Sequence, residues 1–92
     1  MRVSLGSYNE VYVNVSVPIR IANQGERPQT LVLEPWAHEL DLAPGCTYTI
    51  VSEGDTSQPM EIAIAESTIT VYCFDTAGAT MSVFAEDGSK LF

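Results

Sequence analysis

Positive charge is scarce in this chain. Arg2, Arg20, Arg27 and Lys90 are its only lysines and arginines, set against twelve acidic residues, for a formal net charge of −8 over 92 residues. Four scattered cations cannot neutralise a series of phosphates, and the surrounding negative field repels a nucleic-acid backbone or an anionic membrane before contact. The expected partners therefore include no nucleic acid and no membrane. The acids are spread along the chain and read as a solubilising surface.

Long apolar runs are also missing. None approaches the roughly 18 residues that a membrane helix needs. No basic segment leading into an apolar one follows Met1, because Ser4, Gly6, Ser7, Asn9 and Glu10 interrupt it, so no export signal is expected. The two cysteines, Cys46 and Cys73, are then expected as reduced thiols in a cytoplasmic protein. A second hydrophobic core would need roughly another 50 residues, so residues 1–92 are read as one domain. With 46% of residues hydrophobic and only 17% charged, that domain has enough apolar material to fold alone.

Chemistry-bearing residues are few. A blue-copper site wants two histidines and a cysteine, and His38 is the only histidine. Zinc has no C-x-x-C or H-x-x-x-H pair to organise it. Cys73, on an alternating run, reads as a small core hydrophobe. Glu53 and Asp55 flank Gly54 without the dense acid alternation of a calcium loop. No G-x-S-x-G elbow accompanies the serines, and Glu34 with Glu39 would need a sugar-binding cleft that a chain this short has little room for. No catalytic residue, metal ligand or cofactor is assigned, and the chain is read as non-enzymatic.

What the chain does have is period-two alternation. In VYVNVSVPIRI every odd position from Val11 to Ile21 is Val or Ile, the pattern of a half-buried strand. Pro18 lacks a backbone donor, so the segment is expected either to run along a sheet edge or to bend at Pro18 from one sheet to another; eleven extended residues would span about 36 Å, which favours the bend. Further runs follow: TLVLE with Leu31 and Leu33 inward, CTYTIVSE, MEIAIAE with Ile62 and Ile64, STITVYCF with Ile69, Val71 and Cys73, and TMSVFAE with Met81 and Val83 inward. Turn signals separate them: Ala43-Pro44-Gly45, Glu66-Ser67 as a two-residue hairpin connection, and Asp87-Gly88, after which SKLF is expected to pair back. Seven or eight short strands without an amphipathic helix predict an all-β fold, a small antiparallel β-sandwich of the immunoglobulin-like, cupredoxin-like or jelly-roll-like kind.

The segment EPWAHEL, residues 34–40, concentrates the only tryptophan, the only histidine and two glutamates. An extended conformation puts Trp36, His38, Leu40 and Leu42 on one face and Ala37, Glu39 and Asp41 on the other. One turn of helix starting at Pro35 is the alternative, with Glu34 a poor cap and Pro44 an early stop. The pattern Glu34-Pro35-Trp36, then Glu39, Leu42 and Pro44-Gly45, resembles a stretch found in short bacterial proteins of uncharacterised function that are predicted to be all-β. The resemblance covers Thr30 to Ser52, implies a β-sandwich, and brings no activity with it.

Two functional readings follow. In the first the chain is a non-catalytic binding or assembly module that uses a sheet face or edge toward a protein partner or a second copy of itself, a homodimer being one such form. The aromatics Tyr12, Tyr72 and Phe84, on otherwise polar strand faces, either mark that surface or pair with one another across the strands. In the second, Trp36, His38 and Glu39 form a small-ligand or metal site at the sandwich rim.

Overall fold

A computed structural model describes residues 2–5, 9–12, 15–55, 59–74 and 78–92; for 2–5, 9–12 and Val15 the backbone alone is described. Among the described residues there are nine strands and no helix, so none is long and apolar enough to cross a membrane. The strands are β1 (Arg2–Leu5), β2 (Asn9–Tyr12), β3 (Val15–Ala22), β4 (Gln29–Glu34), β5 (His38–Leu42), β6 (Thr47–Gly54), β7 (Glu61–Ile64), β8 (Thr68–Tyr72) and β9 (Thr80–Ala85). β1 and β2 form a two-stranded ribbon. The other seven make two sheets, of order β3-β6-β9 and β5-β4-β8-β7. The architecture is the small β-sandwich that the alternation predicts.

Alternation selects the core directly. Leu31 and Leu33 of β4, Leu42 of β5 and Val71 of β8 are fully buried from one sheet, and Ile50 of β6 and Val83 of β9 from the other. Ile21, Cys73, Phe74 and Met81 complete the buried cluster. The turns also fall where expected. Cys46 N donates to Ala43 O at 3.0 Å across Pro44-Gly45, with Gly45 at φ 81°, a conformation that glycine adopts without a Cβ clash. Ala65 N donates to Thr68 O around Glu66-Ser67, and Gly88 N donates to Ala85 O. Past Asp87-Gly88 the chain returns: Lys90 bridges to Phe84, and Leu91 N donates to Val83 O at 2.7 Å.

Three features differ from the sequence-based expectation. First, Pro18 does not bend the chain between sheets: β3 runs unbroken through it, Pro18 pairing with Val51, and of the two expectations the sheet edge is the one that holds. β3 is the edge strand of its sheet, where one row of backbone groups faces no neighbour and a missing donor is tolerated. Residues 13 and 14 lie outside the described set.

Second, one pairing is parallel: β4 runs alongside β8, Leu33 opposite Val71 and Glu34 opposite Tyr72. A parallel pair needs a crossover of a dozen residues or more. The excursion through β5, across to β6 and back through β7 supplies it.

Third, Ile62 and Ile64 share the core-facing side of their sheet with their partners Val71 and Ile69, yet they are 42% and 79% exposed. At about 4.8 Å per strand, three strands cannot cover four. β7 is the outermost strand of the wider sheet, and its apolar face extends past the opposing layer.

Candidate functional site

At the start of the EPW segment, Leu33 and His38 are the last paired residues of the β4–β5 hairpin. Residues 35–37 form the turn, with a cis Glu34–Pro35 peptide and Ala37 at φ 53°. A left-handed alanine costs roughly 1 kcal/mol or more; Ala37 N donating to Glu34 Oε1 at 2.9 Å helps hold the turn there. The extended reading therefore applies to His38–Leu42, where His38, Leu40 and Leu42 point toward the core side and Glu39 and Asp41 are exposed. It does not apply to Trp36, which sits in the turn and is 39% exposed.

Trp36 and His38 meet through Phe92. The imidazole stacks on that phenyl ring with centroids 4.3 Å apart, and the indole lies tilted against it at 5.8 Å. Phe92 is positioned by the other sheet, since its carbonyl accepts from Val83 N of β9 at 3.0 Å. Asp87 sets up that return, accepting from both the hydroxyl and the backbone N–H of Ser89, and these bonds, the hydroxyl's first, hold its carboxyl below the ordinary carboxylate range. The three rings form a clasp between the two sheets. Tyr48 adds a second tie, its hydroxyl donating to Asp41 O at 2.7 Å. Phe92→Ala is expected to cost about 1–3 kcal/mol and to shift Trp36 emission to the red, as read by urea titration followed by tryptophan fluorescence. An unchanged emission spectrum would show that the phenyl ring does not govern the indole environment.

Glu39 is on the opposite face of β5 from His38, so the predicted trio Trp36, His38 and Glu39 is not assembled at one point. Among the described residues no three His, Cys, Asp or Glu side chains are close enough to hold a metal ion. The aromatics also part company. Tyr72 of β8 is 41% exposed on the outer face of the four-stranded sheet. Phe84 of β9 is half-buried opposite Thr49, in the three-stranded sheet. The Tyr12 side chain is outside the described residues.

Tyr72 does belong to a concave surface. A cleft of about 500 Å³ opens at the end of the four-stranded sheet, lined by Glu34 and Pro35, Pro59 and Glu61, and Tyr72 to Phe74. Its base is a row across three strands: Glu34 pairs with Tyr72 in parallel register, and Tyr72 with Glu61 in antiparallel register. Directly opposed residues project to the same face, one strand spacing apart. The phenol thus stands between two carboxyl groups, each about 5 Å away at the backbone level. Among the described residues the lining contains no lysine, arginine or histidine, and residues 56–58 and 75–77, which adjoin it in sequence, contain none either.

Cys73 closes the cleft toward the core. It is buried, its sulfur donates to Thr80 O at 3.5 Å, and burial pushes its thiol pKa up, with a partial downward offset from the Phe74 backbone and the Ser52 hydroxyl. Ser52 Oγ, buried beside that sulfur, reaches no partner at full hydrogen-bond geometry among the described residues. Both cysteines are free thiols, Cys46 half-buried. A thiol shielded in this way is a poor nucleophile, which fits the role of a small core hydrophobe.

Sequence reasoning found Tyr72 but not the row around it. Glu34 and Glu61 are 27 positions apart, and only the parallel pairing of β4 with β8 places them on either side of one phenol. No protein family, curated protein or solved structure matches the chain.

Proposed function

We propose that this chain is a non-catalytic binding module, cytoplasmic and reduced at both cysteines, which recruits an extended segment of a protein partner along the open edge of β7. The observation that carries this reading is the exposure of Ile62 and Ile64 on the core-facing side of an edge strand. An edge strand presents a row of unpaired backbone donors and acceptors, and a partner strand satisfies them while its alternate side chains pack on the apolar face. A partner strand on β7 would lie over the overhang that the narrower sheet leaves bare. The clasp of Trp36, His38 and Phe92 serves in this reading as a structural closure that keeps the two layers together.

Selection of displayed random peptides on the intact protein tests the reading. Peptides that bind are expected to lose at least tenfold in affinity on the double variant Ile62→Lys/Ile64→Lys, whose unfolding midpoint should stay near that of the parent because both positions are exposed. They are also expected to perturb the backbone amide signals of residues 61–64. Peptides that bind the double variant equally well, or that leave those amides unchanged, would remove the β7 edge as the docking site.

A further inference from the structure

Resting on that edge reading, we infer that the recruited segment is cationic, with a lysine or arginine opposite Glu61 and aliphatic residues opposite Ile62 and Ile64. Register dictates the pattern. A strand added beside β7 places the residue facing Glu61 on the outer side, next to the row Glu34–Tyr72–Glu61, and the residues facing Ile62 and Ile64 on the core side. The outer row offers two carboxyl groups and an aromatic face inside a cleft whose described lining carries no cation. A guanidinium or ammonium group entering from the edge pairs first with Glu61 and, being long, reaches over the Tyr72 ring toward Glu34. The −8 net charge of the chain steers such a segment toward it.

A second copy of this chain is a worse occupant. If two β7 strands paired antiparallel with their isoleucine faces on the same side, the residue opposite Glu61 would be an odd-numbered one from the same region. Those are Pro59, Glu61, Ala63, Ala65 and Ser67, none of them cationic. The acidic row would stay unmatched, and two copies carrying −8 each would repel.

The test uses three amidated octapeptides that alternate valine and threonine: the parent, one with a central threonine replaced by arginine, and one with it replaced by glutamate. Binding to the intact protein is followed by fluorescence anisotropy. The arginine peptide is expected to bind about tenfold more tightly than the parent, and the glutamate peptide more weakly than either. The arginine advantage should disappear in Glu34→Gln/Glu61→Gln and shrink as salt is raised from 50 to 500 mM. Glutamine keeps the acceptor that Ala37 N uses, so the turn survives the substitution. Ile64→Ser should weaken all three peptides alike. Equal binding of the parent and arginine peptides, unaffected by the glutamine variant but lost in Ile64→Ser, would overturn the cationic inference and leave the edge reading in place. Binding indifferent to Ile64→Ser, or no binding by any of the three, would overturn both. A dimer in light scattering that Ile64→Ser dissolves would assign the edge to a second copy, against this inference.

Discussion

Replacing Leu33 by alanine is expected to lower stability by about 3–5 kcal/mol, a large part of the roughly 5–10 kcal/mol that a domain of this size has available. Leu33 is fully buried in β4, the strand that pairs with both β5 and β8 and therefore sits inside the four-stranded sheet. The truncation removes apolar contact at the centre of the sandwich. The sheet backbone on both sides is pinned by ladder hydrogen bonds, so the space can close only in part, and a cavity term adds to the lost transfer energy. A fall in melting temperature of about 15–25 °C follows for a chain of this length, measurable by circular dichroism. Ile64→Ala provides the contrast: its side chain is 79% exposed, and a change of less than about 0.5 kcal/mol is expected. Comparable losses at the two positions would mean that β7 is covered in solution.

Asn23→Ala is expected to cost about 2–4 kcal/mol, for a different reason. Asn23 is one of the few buried polar residues, and its amide is fully used: Nδ2 donates to Leu42 O at 3.0 Å and to Arg27 O at 2.8 Å, while Oδ1 accepts from Gly25 N at 3.0 Å. Its backbone closes against the neighbouring turn, with Asn23 N donating to Cys46 O and Gly45 N donating to Asn23 O. One side chain thus joins the end of β3, the loop after it and the end of β5. Alanine leaves two carbonyls and an N–H short of their partners in a partly closed site, and unmet buried groups cost more than a formed bond contributes. Asn23→Asp should be worse at neutral pH, since a carboxylate would face two carbonyl oxygens with nothing to donate. Denaturant titration checks both: the midpoint should fall with little change in slope, the sign of altered stability rather than an altered end state. If Asn23→Ala left the midpoint within experimental error, the amide would not be a structural tie.

These two positions show how unevenly the sequence announces its structure. Leu33 is visible at once, because a leucine two places from another leucine in TLVLE has only one inward side to occupy. Asn23 belongs to the polar segment NQGERP, where an asparagine looks like any other loop residue. Its importance comes from Leu42 O, 19 positions away, which no local pattern brings to it. The candidate surface divides in the same manner. Tyr72 could be singled out as an aromatic on a polar strand face, whereas Glu34 and Glu61 could not be joined to it without the pairing of β4 with β8. Phe92 offered no signal as the ring between Trp36 and His38, because the return past Asp87-Gly88 says that a segment comes back but not which distant side chains it meets.

The class of fold, the inward residues and most of the reversals are written into the local pattern of the chain. Successive Cβ atoms in an extended chain alternate sides, so the oily positions of each strand declare their face one strand at a time, and Pro44-Gly45 and Asp87-Gly88 carry their turn chemistry within two residues. Which strands became neighbours, that one pair runs parallel, and that a sheet of four lies on a sheet of three emerge only once the layers pack. Those outcomes depend on how whole layers fill the space between them, a balance of packing over long separations that leaves no period in the chain. The exposed isoleucines of β7 and the acidic row beside them arise from that balance.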